Sequence, residues 1–305
     1  MKIQPAAAAA IVLLVAACGT GGPGATTAPS TSAATTPPAT TTPASAAPTA
    51  AVIAPPTSLI TPGTIVDCVD IEYPPMEMFP SADVTDPNMA AGFDVDAAKA
   101  VAAKLGVKIE IRNTAFNALI PDLQAGRCDI VWTALYVNET RLKVADAVPY
   151  MATGQVVMVK KGNAVGIHAE TDLCGKNVSV QGAGLVEERI DKASAACTAA
   201  GKPAINKQAY EKVADEFQQI VLGRVDAVWE TDTGVSQFLL EHPGEYEVAY
   251  ALPRDDNYGV YYGKGKADVG TALKAAIDAL NADGTLPGIA TKYAMDPAIL
   301  TVVVK

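Results

Sequence analysis

Residues 116–150 read FNALIPDLQAGRCDIVWTALYVNETRLKVADAVPY, and the fold follows from how this stretch is divided. Its spacing predicts a helix, a strand and a second helix. Asn117 can cap the first helix, whose apolar face is Leu119, Ile120 and Leu123. Pro121 is tolerated because it lies in the first turn, and Gly126 supplies the C-terminal stop. Ile130, Val131, Trp132 and Leu135 then form a short apolar run of the kind a buried parallel strand shows. Asn138 caps the next helix, with Arg141 three residues on. Arg141 thus stands in a first helical turn, beyond a strand's carboxyl end. Open α/β sheets bind ligands at that end, and helix N–H groups with a guanidinium make an anion site. The competing reading is a surface arginine in an ion pair.

A second copy of the pattern lies downstream. Residues 126–132 read Gly-Arg-Cys-Asp-Ile-Val-Trp and residues 223–229 read Gly-Arg-Val-Asp-Ala-Val-Trp, identical at five of seven positions. Each follows an amphipathic helix ending at Gly, and each runs into a polar residue, Thr133 or Glu230. Two similar α/β units therefore present their strand ends to a shared cleft.

The N-terminus reads as a targeting segment. Lys2 precedes an apolar run, Ala6 to Ala17, too short to span a membrane as a mature helix. Val15-Ala16-Ala17-Cys18 resembles a lipobox, in which Cys18 is acylated and becomes the first mature residue. Residues 19–57 are almost all Thr, Ala, Pro, Ser and Gly, and no charged residue lies between Lys2 and Asp67. Such a segment cannot form a packed core and is expected to act as a semi-rigid tether. Without residues 1–17 one Lys is lost, leaving 22 Lys+Arg against 33 Asp+Glu, a net charge of −11. That balance argues against nucleic acid as a partner. His168 and His242 are isolated, so neither a metal nor another cofactor is expected.

Several blocks carry a family resemblance. FNALIPDLQAGRCDIV followed by NETR and VPY is similar to the extracytoplasmic solute-binding proteins of amino-acid-type ABC transporters, family 3. YPPMEMF, GFDVDAAKAVAAKLGV, DLCGKNVSVQGAG, LGRVDAVWETDT and ALNADGTLPGIATKY extend the match over roughly residues 64–295. The resemblance implies an α/β, periplasmic-binding-protein-like fold of two doubly wound lobes joined by two crossing strands (type II topology). The expected division is 1–17 signal peptide, 18–58 tether, 59–153 plus 258–305 lobe one, and 154–257 lobe two.

The expected ligand site draws on both lobes. The first strand, Ile65 to Ile71, places Asp70 and Tyr73 at its end, before Pro74-Pro75. Asp94 can cap the following helix, and Val107 to Ile111 alternates as the second strand. An aromatic at Phe116 stacks on the ligand side chain in the family. Thr133, Ala134, Tyr136 and Arg141 complete lobe one. In lobe two, Gln181-Gly182-Ala183-Gly184 precedes a helix and offers main-chain donors. The family usually has Thr just after the first Gly, and this chain has Ala183 and Gly184, without hydroxyls. The family's acid for the ligand's α-ammonium falls at Thr231, so Glu230 or Asp232 is left to serve. Cys68, Cys128, Cys174 and Cys197 form an even set in an exported chain, with the pairs Cys68–Cys128 and Cys174–Cys197 expected.

The expected function is a lipid-anchored, monomeric binding protein for a small amino acid or related zwitterion or carboxylate, serving an ABC permease and its ATPase. The membrane is met through the lipid anchor alone. The alternatives are an enzyme resembling cyclohexadienyl dehydratases, with Glu230 or Glu72 as acids, and a ligand-sensing lipoprotein.

Overall fold

A computed structural model describes residues 53–304; Cys18 lies outside the described residues. β1 (Thr64–Val69) leads to α1 (Phe93–Lys104), β2 (Lys108–Asn113), α2 (Leu119–Gln124), β3 (Ile130–Val131), α3 (Glu139–Leu142) and β4 (Ala145–Thr153). Next come β5 (Gln155–Lys160), β6 (Asn177–Gln181), α4 (Leu185–Ala199), β7 (Asn206–Tyr210), α5 (Val213–Val221), β8 (Ala227–Thr231), α6 (Asp232–Glu241) and β9 (Tyr246–Ala251). β10 (Asp256–Gly263), α7 (Ala267–Ala282) and α8 (Thr285–Lys292) follow.

The strands form two five-stranded sheets, ordered β2-β1-β3-β10-β4 and β7-β6-β8-β5-β9. In the first, β1 runs parallel to β2 and β3, and β10 is antiparallel to β3 and β4. In the second, β6 runs parallel to β7 and β8, and β5 is antiparallel to β8 and β9. With helices on the sheets, this is a two-lobed α/β fold whose lobes repeat one topology. The chain crosses between lobes at Gly154 and again at residues 252–255. The crossings touch: Leu252 N–H donates to the Gln155 carbonyl at 2.8 Å. A Cβ at Gly154 would lie 3.1 Å from Arg254 Cγ, so glycine lets them approach.

The sequence repeat has a structural cause. Gly126 and Gly223 adopt φ of +68° and +70°, ending α2 and α5 in the left-handed conformation. The Asp three residues later brackets the neighbouring parallel strand. Asp129 Oδ2 accepts from Val66 N–H at 3.0 Å, and Asp226 Oδ2 accepts from Asn177 N–H at 2.7 Å. The two tryptophans are fully buried. Trp132 Nε1 donates to Asp94 at 3.2 Å and Trp229 Nε1 to Gln155 at 3.1 Å, which satisfies the indole donors inside the core.

Three local expectations are corrected. Asn117 does not cap α2; it lies inside a 3₁₀ turn, Phe116–Ala118, and the helix starts after it without a side-chain cap. Asp94 does not cap α1. Gly92 takes that place at φ +125°, where a Cβ would meet the Met76 carbonyl oxygen at 2.2 Å. Asp94 sits in the first turn with its carboxylate turned inward. The third strand is two residues long because side chains take over its ladder: Asp67 Oδ1 accepts Trp132 N–H at 2.9 Å and Asp94 Oδ2 accepts Ala134 N–H at 2.6 Å. Asn138 does cap α3, accepting from Arg141 N–H at 2.8 Å.

Both expected disulfides are formed. Cys68–Cys128 joins β1 to the residue pair before β3, and Cys174–Cys197 ties the segment before β6 to α4. The second closes a loop with a sequence separation of 23. The chain-entropy model values such a loop at roughly 3 kcal/mol. Replacing Cys174 and Cys197 together by Ala should lower the Tm by roughly 6–12 °C in thermal unfolding, since about 1 kcal/mol moves a domain of this size by 2–4 °C.

Candidate functional site

The carboxyl ends of β1 and β3 and of β6 and β8 meet across a narrow cleft, whose enclosed volume is only about 30 Å³ in this closed form. Its walls include Asp70, Tyr73, Glu77, Phe116, Thr133, Ala134 and Tyr136 from lobe one. Lobe two contributes Gln181, Gly184, Leu185, Val186, Glu230 and Thr231. The loop after β1 dominates the first side. Asp70 N–H donates to Thr133 Oγ1 at 3.1 Å, and that hydroxyl donates to Glu77 Oε1 at 2.7 Å. Glu77, only 1% exposed, also hydrogen-bonds with the Asp94 carboxyl.

The same loop bridges the lobes. The Tyr73 hydroxyl contacts Thr231 Oγ1 and lies 3.4 Å from both Glu230 Oε1 and Thr233 Oγ1. Gly234, on α6, gives it room: a Cβ there would sit 2.9 Å from the Tyr73 hydroxyl. Beside it, Lys212 Nζ pairs with Glu72 at 2.5 Å. The structure is therefore a closed form, with lobe-one side chains seated on the second lobe.

The two lobe-two acids are placed differently. Glu230 ends β8 and lines the cavity, with its Oε1 accepting from Thr231 N–H at 2.7 Å. Asp232 begins α6; one oxygen pairs with Arg254 and the other accepts from Thr153 Oγ1 at 3.1 Å. It belongs to the crossing segments and is not among the cavity-lining residues. Thr231, where the family acid would fall, caps α6 by accepting from Gly234 N–H at 3.3 Å.

Arg141 stands behind Phe116, its guanidinium carbon 5.8 Å from the ring centroid, within cation–π range. One guanidinium nitrogen donates to the Tyr136 carbonyl at 3.0 Å, which also accepts from the Tyr261 hydroxyl at 2.6 Å. Burial lowers its pKa, with Tyr261 and Glu188 partly offsetting that. Several donors expected to face a ligand have internal partners. Ala134 N–H is held by Asp94, and Ala183 N–H by Glu187 Oε2 at 2.7 Å. Ala183 faces a neighbouring opening with Phe116, Gly182 and Tyr210. Glu77 and Thr231 are lining residues that sequence reasoning missed. The signal for Glu77 was a lone acid between Met76 and Met78.

Buried carboxyls dominate the electrostatics. Desolvation disfavours the ionised form of each. Burial, then the Glu72 charge, pushes Asp70 up to about 7. Burial raises Glu230 to about 7 as well, with Glu216 buried beside it. Asp94 also stands at about 7 through burial, and Glu77 is raised by burial and then by Asp94. Each group binds its proton more tightly folded than unfolded, so its contribution to stability is complete at low pH and is lost as pH rises through the folded value. The Tm should therefore fall between pH 5 and pH 8, measured by scanning calorimetry at constant ionic strength.

Residues 65–296 match the bacterial extracellular solute-binding proteins, family 3. The L-cystine-binding protein TcyJ of Escherichia coli is 26% identical over 232 residues, covering 76% of this chain and 82% of that protein. The L-arginine-binding protein of Pseudomonas aeruginosa is 27% identical, covering 74% and 85%. Among solved structures, an ancestral arginine-binding protein bound to arginine superposes with a TM-score of 0.68 at 30% identity, covering 76% of this chain and 98% of that one. The ancestral amino acid-binding protein AncCDT-1, a precursor of cyclohexadienyl dehydratase, gives 0.64 at 28%, covering 76% and 95%. The chain belongs to the bacterial extracellular solute-binding proteins, family 3.

Proposed function

We propose that this chain is the lipid-anchored, monomeric receptor of an ABC importer, which captures a small amino acid or related zwitterion between its lobes and delivers it to a permease and its ATPase. One observation supports this most: a cleft at four strand ends with the buried acid Glu230 in its wall and Arg141 behind the Phe116 ring. The ligand's carboxylate goes to Arg141, reached past Phe116. Its α-ammonium goes to Glu230, because Asp232 is already paired with Arg254. Tyr73 and Phe116 cover the rest. Neither lobe alone holds the whole ligand, so binding favours the closed form through its higher affinity for that form.

Truncating one partner of a buried charge pair costs about 2–5 kcal/mol, roughly a 30-fold or larger loss. Calorimetry should show that loss for Arg141→Ala and for Glu230→Gln. Asp232→Asn should affect stability more than affinity. Arg141→Ala binding within threefold of wild type would remove the carboxylate clamp. An enzyme on the same scaffold needs a proton-transfer group, and Glu230 is the lining acid suited to it; consumption of the ligand during titration would favour that reading.

Anchoring rests on Cys18 and the small residues before it. Cys18→Ala should release the protein from the membrane fraction or leave an uncleaved precursor. Unchanged palmitate labelling of that variant would refute the anchor.

A further inference from the structure

Beneath Glu230 lies a second acid that ligand capture as described does not use. The buried apolar residues of α5 are Val213, Phe217 and Ile220, and Glu216 is set among them at helical spacing. Glu216 is 0% exposed and Glu230 3%. α5 packs on β6 and β8, which brings the two carboxyls together, and they hydrogen-bond with each other. Two carboxyls can make that bond only when one of them carries a proton. The Gln181 main-chain N–H, at the end of β6, is the other group that bonds Glu216. Among the described residues, no Lys, Arg or His stands against either acid. An ionised carboxylate in an apolar helix face carries a heavy desolvation cost, and two ionised carboxylates in contact would also repel. The pair is therefore favoured with one proton, held on the deeper member. Burial and then Glu230 keep Glu216 protonated well above the usual carboxylate range. Burial pushes Glu230 up to about 7, and the bond from Glu216 works against that rise.

We propose that Glu216 is a positioning residue for the ammonium site: its carboxyl O–H donates to Glu230 and holds that carboxylate ionised and oriented toward the ligand's α-ammonium. This deepens the amino-acid-binding reading and rests on Glu230 as the ammonium's partner. The pair then offers one negative charge to one positive charge. The other groups facing it are Tyr73 from the loop after β1, Tyr136 beyond β3, and Thr231 of β8. Asp215 lies on the exposed face of α5, and Asp232 is taken by Arg254. No cation competes for Glu230, so the hydrogen bond from Glu216 is what favours its ionised form from below. As pH falls through about 7, Glu230 gains a proton as well. The pair is then neutral and its attraction for an ammonium is lost. Glu216→Gln keeps the hydrogen-bonding pattern of a protonated carboxyl, with an oxygen to accept from Gln181 and an N–H to donate to Glu230. Glu216→Leu keeps the bulk and neither bond.

The test is calorimetry on the full chain from pH 6 to pH 9. The panel is the standard L-amino acids and L-cystine, and its tightest binder serves as the probe. Wild-type affinity should fall from pH 8 to pH 6. Glu216→Gln should bind the probe within about threefold of wild type and keep that profile. Glu216→Leu should bind roughly tenfold or more weakly at pH 7, the worth of one hydrogen bond to a charged group. Its fall in affinity should also begin at higher pH, a shift that a purely structural role would not produce. A second measurement needs neither ligand nor the leucine variant. The infrared difference between wild type and Glu216→Gln at pH 8 should contain the C=O band of a protonated carboxyl. Absence of that band overturns the role of Glu216. So does Glu216→Leu binding like wild type with an unmoved profile, or Glu216→Gln binding as weakly as Glu216→Leu. In each of these cases a loss of binding in Glu230→Gln leaves the amino-acid-binding reading intact. Normal binding by Glu230→Gln, or no binding by any member of the panel, overturns that reading and the role of Glu216 with it.

Discussion

The carboxylate of Asp94 is the contact on which lobe one depends. It is fully buried at the start of α1 and accepts from the Tyr150 hydroxyl with both oxygens at 2.7 Å. It also accepts from Ala134 N–H and Trp132 Nε1. One side chain thereby ties α1, the end of β3 and β4 together. Because Ala134 is held at φ +42°, the chain beyond β3 turns away from the sheet and points Thr133 and Tyr136 at the cleft. A buried carboxylate unpartnered at this point would carry a large desolvation penalty; four donor contacts offset it. Glu77, beside it, adds a second acid to the same network. Such polar networks specify a unique arrangement when their members are satisfied.

Lobe two uses different chemistry for the same geometry. Gln155 takes the indole of Trp229, where Asp94 takes that of Trp132. The acid Glu216 lies under Glu230 and hydrogen-bonds with it, and burial raises its pKa. The lobes are thus similar in backbone and dissimilar in charge. The loop after β1 makes the join between them. Its Glu72 and Tyr73 reach across to Lys212 and to Thr231, and its Asp70 and Glu77 face the cavity. The contacts that join the lobes and the acidic wall of the cleft therefore belong to one loop.

The repeat of Gly, Arg, Asp and Trp was legible in the chain because each position meets a local demand. Glycine must take positive φ at the helix end, and Asp must satisfy the adjacent strand's N–H. The four cysteines, the Asn138 cap and the strand ends were legible for similar reasons. Asp94 was not: an acid in a first turn reads as a cap, and nothing local shows that its carboxylate faces inward. Asn117 misled for the converse reason, since a good capping residue falls inside a turn set by its neighbours.

The order of α/β units and the residues at the strand ends were determined by sequence alone, through periodicity, turn chemistry and family pattern. Only the tertiary structure decided which polar groups remain for a ligand. Thr133, Ala134 and Ala183 look like donors in sequence, and each is engaged by an internal acid. In the sequence either Glu230 or Asp232 could serve, and Asp232-Thr233 looks the more like the family's acid. A single crossing-segment arginine, Arg254, separates them by pairing with Asp232. Such choices depend on contacts between residues far apart in the chain, and a side chain's hydrogen-bonding capacity can be used once, by whichever partner the fold brings within reach.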